Sequence, residues 1–152
     1  MIDVARSITI NRQVAEVFAY VSDVSNEPAW HTDVLEARQT SAGPIGIGTT
    51  FLIRVKPSMG VSEGVTEVIG FDPNHKQVLR GQMGSMRPTI TDLFEPADGG
   101  TKFTRRIQIE ASGLMRLMLP LVRPMIGKSN TGFLANLKRV LETGAEGLAP
   151  GD

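Results

Sequence analysis

An acid and a base, Asp92 and Arg105, offer the most specific chemistry in this chain. They lie in Thr89–Ala111, two alternating apolar and polar runs joined by Asp98-Gly99-Gly100, a pattern that reads as a β-hairpin. With the turn on Ala97–Gly100, Phe94 faces Phe103, Asp92 faces Arg105 and Ile90 faces Ile107, all six on one face. An ion pair among phenylalanines and isoleucines has two uses. It can anchor a ligand carboxylate, hydroxyl or carbonyl through the paired donors of Arg105, or it can satisfy itself as a cross-strand pair. A register shifted by one residue would turn both groups into water.

Glu63 and Glu67 share a face with Val61, Val65 and Ile69. Inside an apolar cavity such a carboxylate has a raised pKa and can act as a general acid or base; the alternative is that the strand turns its charges to solvent. Trp30 and His31 follow the first helical region, Trp30 as core or as a pocket wall and His31 as a titratable group at the mouth. Asp92, Glu67 and His31 are therefore the candidate proton-moving residues. His75 sits in the turn Asp72-Pro73-Asn74-His75, and two histidines so far apart, without carboxylates at ligand spacing, predict no metal site. The absence of cysteine excludes disulfides, Cys-ligated zinc, iron–sulfur clusters and a thiolate nucleophile. Gly43-Pro44-Ile45-Gly46-Ile47-Gly48 leads into a strand rather than a helix, so it reads as an entrance loop or lid instead of a phosphate cradle. No motif of a serine hydrolase or a zinc protease is present, and no cofactor is expected.

These residues must be positioned by one domain, since 152 residues suit a single core, expected over residues 1–144 with a flexible tail at 145–152. Sixteen basic residues balance sixteen acidic ones and aromatics make up only 5%, which argues against a nucleic-acid partner. The balance hides a polarity, because residues 99–139 carry eight basic residues and one acidic one. The N-terminus lacks a secretory pattern. The longest apolar stretch, Leu114–Ile126, is 13 residues broken by Arg116, Pro120, Arg123 and Pro124, whereas a spanning helix needs about 20. A cytoplasmic location is expected.

Asp3–Ile10 reads as a strand, and Asn11 can cap a helix whose stripe is Val14, Val17, Phe18 and Val21. Ser25 can cap a second short helix containing Pro28. Strands are expected at Val34–Gln39, Thr49–Lys56, Val61–Phe71, Lys76–Met83, Pro88–Glu95 and Thr101–Ala111, with Phe51, Ile53 and Val55 on one face of the second. The last third is helical, with one stripe at Leu114, Leu117, Met118, Leu121 and Met125 and another at Phe133, Leu137, Val140 and Leu141. Pro120 and Pro124 should bend or interrupt it, and Gly144 can end it. The class is α+β with a mainly antiparallel sheet.

Several stretches carry a resemblance: Asp23-Val24-Ser25-Asn26-Glu27-Pro28-Ala29-Trp30-His31; Gly43 through Phe51; Val68-Ile69-Gly70-Phe71-Asp72-Pro73; Asp98 through Phe103; and Leu134 through Glu142. In their order and spacing the chain resembles the START-like superfamily, in its polyketide cyclase/dehydrase branch. The resemblance implies a helix-grip, Bet v 1-like fold: a curved antiparallel sheet wrapped around a long C-terminal helix, two short helices after the first strand, and a cavity for an apolar ligand. It implies no single chemistry, since similar proteins include lipid carriers, hormone receptors and aromatase/cyclases.

The expected function is binding of a hydrophobic or amphipathic small molecule, lipid- or polyketide-like, between sheet and helix. Its expected lining is Trp30, Phe51, Ile53, Phe94, Phe103, Ile107, Met118, Leu121 and Met125, with Asp92 and Arg105 as polar anchors. One alternative is a cyclase- or dehydratase-type enzyme working in the same cavity. The other is a membrane-apposed module using the basic C-terminal helix. The protein is expected to be a monomer or a homodimer.

Overall fold

The computed structural model describes residues 1–58 and 60–143. Seven strands form one antiparallel sheet: β1 (Ile2–Ile10), β2 (Val34–Gln39), β3 (Thr50–Ser58), β4 (Val61–Asp72), β5 (Lys76–Gln82), β6 (Met86–Ala97) and β7 (Gly100–Ala111). Their spatial order is β1-β7-β6-β5-β4-β3-β2, a meander from β2 to β7 closed by β1 at the far edge. Helix α1 (Val14–Ser22) and a 3-10 helix (Val24–Ala29) link β1 to β2, and helix α2 (Leu114–Thr143) follows β7. This is the helix-grip fold. Residues 144–152, including Gly144 and the expected tail, lie outside the described residues.

The β6–β7 register is the expected one, with Phe94 opposite Phe103, Asp92 opposite Arg105 and Ile90 opposite Ile107. Its turn uses Asp98 at φ 46° and Gly99 at φ 78°, a left-handed pair that joins strands without splaying them. Register breaks at Val34/Glu36, Arg54/Ser58 and Val68/Gly70 bend the strands and give the sheet a concave face.

Two capping expectations are corrected. The α1 N-cap is Gln13, without a side-chain cap, and Asp23 caps the 3-10 helix by accepting from the Ser25 backbone N–H. Helix α2 also runs unbroken through Pro120 and Pro124. Each proline removes one backbone donor, but both stand on the exposed side, so the carbonyls left unpaired one turn earlier lie toward water. Where α2 packs on β1 the helix carries a buried Gly127, and the Arg6 guanidinium lies over it, Nη2 standing 2.7 Å from where a Cβ would be.

One end of the concave face is packed solid. Ile10, Val17, Phe18, Val21, Trp30, Phe94, Phe103, Leu134, Leu137, Val140 and Leu141 form a single cluster, with Phe18 edge-on to Phe94 at 5.0 Å between centroids. The end of α2 is tied down by Glu142, which accepts from the Asn11 N–H at 2.7 Å, and by Lys138, which donates to Thr9 O at 2.7 Å. A second cluster, Val24, Val34, Phe51, Ile53, Val68 and Leu79, lies under the 3-10 helix, and a third joins Ile2, Val4 and Ile109 to Leu119 of α2.

Candidate functional site

Residues directly opposite one another share a face of the sheet, and the pairings Gln77–Asp92, Asp92–Arg105 and Arg105–Arg6 therefore run a polar row across β5, β6, β7 and β1. At its centre Arg105 is fully engaged. Its Nε donates to Asp92 Oδ1 and its Nη2 to Asp92 Oδ2, both at 2.8 Å, while Nη1 donates to Glu27 Oε1 at 2.8 Å. The guanidinium also lies 4.8 Å from the Trp30 ring centroid, a cation–π contact, and Asn130 of α2 donates to the Arg105 carbonyl at 3.2 Å. Asp92, Arg105 and Glu27 are 0%, 2% and 7% exposed.

Burial raises the Asp92 carboxyl above its ordinary value, partly offset by Arg105. Burial alone would lower Arg105, but Asp92 and Glu27 outweigh it and hold the guanidinium above its usual range. One cation thus faces two carboxylates.

His31 donates its backbone N–H to Glu27 O at 2.7 Å, and its ring stacks on Phe133 of α2 at 3.9 Å between centroids. Burial pulls its pKa below the ordinary 6.5; Arg105 adds to the effect, while Glu27 and Asp33 oppose it. The imidazole is neutral at pH 7. Its Nδ1 is enclosed without a hydrogen-bond partner among the described residues, as are Trp30 Nε1 and Gln77 Oε1.

Beyond the polar row, on the side away from the phenylalanines, the concave face opens into a cavity of about 170 Å³. Its walls are mostly apolar: Ile53 and Val55 of β3, Leu79 of β5, Pro88 and Ile90 of β6, and Met83. Val24, Glu27 and His31, from the 3-10 helix and its exit, close one end, and Val65 and Thr66 of β4 stand at another edge. The volume falls below the roughly 300–1,000 Å³ of drug-sized sites, so it fits a ligand or ligand portion about the size of a fused bicyclic ring. Among the described residues no group of His, Cys, Asp and Glu is arranged to hold a metal ion.

Of the residues expected to line a cavity, Ile53 does so, and His31 joins it. Trp30, Phe51, Phe94 and Phe103 are instead fully buried in the packed clusters. Ile107 is half-buried against the α2 cluster. Asp92 and Arg105 stand behind Glu27 rather than on the cavity wall. Met118, Leu121 and Met125 are corrected outright: they lie on the outer side of α2, Leu121 being 74% exposed, because the helix turns Leu119, Val122 and Ile126 to the sheet instead. Glu67 is also corrected; it lies opposite Thr50 and Arg80 on the outer face, in water. The Gly43–Gly48 loop is pinned to β4, with the Gly48 N–H donating to Val68 O at 2.8 Å and the Val68 N–H to Thr49 O at 2.9 Å, and it stands apart from the cavity wall.

Glu27, which lines the cavity and bonds Arg105, is the candidate residue that the sequence reading missed. The available signal was a single carboxylate in a short helix between the apolar Val24 and Trp30.

A curved antiparallel sheet and a long C-terminal helix, with an apolar cavity at an ionisable edge, define the helix-grip class of fold. Residues 1–142 match the family described as polyketide cyclase / dehydrase and lipid transport, and the chain belongs to that family. An uncharacterized protein of Mycobacterium tuberculosis is 27% identical over 128 residues, covering 82% of this chain and 75% of its own length. Among solved structures, TTHA0849 from Thermus thermophilus superposes with a TM-score of 0.73 at 19% identity, covering 93% of this chain and 99% of that one. The di-domain ARO/CYC BexL from the BE-7585A biosynthetic pathway gives a TM-score of 0.73 at 16% identity, covering 93% of this chain and 47% of its own. Among the described residues no helix is long and apolar enough to cross a membrane.

Proposed function

We propose that this protein binds a hydrophobic or amphipathic small molecule in the cavity bounded by β3–β6 and the 3-10 helix. The observation that carries this reading is the contrast in the cavity lining: Ile53, Val55, Leu79, Pro88 and Ile90 face space, with Glu27 and His31 gathered at one end. Binding draws on apolar area removed from water, worth about 25 cal/mol per Å², with the polar end fixing orientation. Membership of a family that includes cyclases and lipid carriers agrees with a ligand of this kind. Native mass spectrometry of the protein isolated from its own host, followed by extraction, should find a bound apolar molecule. Finding it empty, together with failure to take up any bicyclic aromatic probe, contradicts the reading.

Catalysis in the same cavity would fall to His31 and Glu27, the ionisable groups that reach it; both Asp92 oxygens are occupied by Arg105, and Glu67 points away. A separate reading concerns the outer side of α2. Leu114, Leu117, Leu121 and Met125 are 82%, 75%, 74% and 64% exposed, beside exposed Arg116, Arg123 and Lys128, and no acidic residue occurs from 112 to 141. Apolar side chains among cations suit the surface of an anionic membrane. Co-sedimentation with vesicles rich in anionic lipid, lost in high salt and in Leu121→Asp, supports this contact; equal binding to neutral vesicles contradicts it.

A further inference from the structure

The charge arrangement around Arg105 selects among the ligands that the cavity could take, an inference that rests on the binding function above. We infer that the buried end of the ligand is an uncharged hydrogen-bond donor, such as a phenol, enol or alcohol hydroxyl, received by Glu27, and that a carboxylate is rejected there.

Arg105, bonded to the lining residue Glu27, would be the natural partner for an anionic ligand, but its positive charge is already committed. Asp92 takes Nε and Nη2 through both of its oxygens, and Glu27 takes Nη1 through Oε1. Among the described residues the lining contains no lysine or arginine; Glu27 and His31 are its ionisable members. His31 is half-buried against Phe133, with its Nδ1 enclosed and unpartnered. A carboxylate pushed to this end would meet two buried carboxylates sharing one guanidinium, where burial weakens screening by water.

Glu27 contributes the complementary half. Its Oε1 is held by Arg105, and no described donor reaches its Oε2, so the side chain is fixed in place with an acceptor to spare. A hydroxyl brought to Oε2 makes a charge-assisted hydrogen bond in an apolar enclosure, the stronger kind of hydrogen bond. Glu27 is thus a specificity residue: Asp92 and Trp30 position Arg105, Arg105 positions Glu27, and Glu27 reads the ligand. A free fatty acid would have to enter with its head toward solvent.

Three probes of one size separate the possibilities at pH 7: 2-naphthol, 2-methoxynaphthalene and 2-naphthoate, titrated by calorimetry or fluorescence against the full-length protein. The expected order is naphthol tightest, the ether next, and naphthoate weaker than naphthol by at least about tenfold. Glu27→Gln, with folding checked by its melting transition, should erase most of the naphthol advantage over the ether and bring naphthoate closer to it. The wild-type series decides the matter even if that variant fails to fold. Naphthoate binding as well as naphthol, while the ether also binds, overturns the inference and leaves the cavity reading intact. If none of the three probes binds, the binding function itself fails and the selectivity falls with it.

Discussion

The polar row Gln77–Asp92–Arg105–Arg6 divides the concave face into two flanks built from similar alternating strands but finished differently. On one flank Phe94 and Phe103 are covered by Phe18 of α1 and by Leu134 and Leu137 of α2, and the space is filled. On the other, Leu79 and Ile90 project from the next positions of the same ladder, yet only the short 3-10 helix roofs them and a cavity remains. Strand patterning therefore does not decide between core and pocket; the covering layer does. The row lies at the boundary, where Glu27 can reach from the roof to Arg105 in the sheet.

The largest expected effect comes from removing the boundary itself. Arg105→Met leaves Asp92 and Glu27 buried without a counter-charge and should cost about 3–5 kcal/mol in denaturant unfolding. A loss under about 1 kcal/mol would mean that the triad is exposed to water. Next, Phe103→Ala on the filled flank should cost about 3 kcal/mol, because a fully buried ring leaves a void. Ile90→Ala on the open flank already borders space and should cost only about 1 kcal/mol, while weakening ligand binding. Equal costs for the two would erase the distinction between the flanks.

Smaller still is a pH effect. The folded pKa of His31 lies below its unfolded value of 6.5, so at intermediate pH the unfolded chain binds the extra proton. The stability tied to the neutral ring is complete above about pH 6.5 and is lost as pH falls toward the folded value. Urea midpoints followed from about pH 8 to 5 should decline on the acid side, and His31→Gln should flatten part of that decline. Leu121→Ser, on the outer side of α2, should change stability by no more than about 0.5 kcal/mol; a larger loss would place that face in a packed interface.

The strands and the β6–β7 register were legible because alternation, Asp98-Gly99-Gly100 and the phenylalanine pair all require the same pairing. That register placed Asp92 against Arg105 before any contact was known. Two things were not legible. The first half of α2 is apolar on both sides, with Leu119, Val122 and Ile126 opposing Leu117, Leu121 and Met125, so periodicity could not say which stripe faces the sheet. Glu27 joins Arg105 across 78 positions of sequence, and no local pattern encodes a contact of that range. Whether Phe51 or Ile53 meets a ligand or a neighbouring side chain depends likewise on the covering layer, since both point inward from the same strand.

The central claim, that the flank roofed by the 3-10 helix is a binding cavity while its neighbour is solid core, is tested most directly by amide chemical-shift mapping during titration with 2-methoxynaphthalene. The account predicts saturable shifts gathered on Val55, Gly64, Thr66, Leu79, Ile90 and His31, with Phe18, Phe103 and Leu137 unmoved. Shifts confined to the outer side of α2, or none at saturating probe, would contradict it.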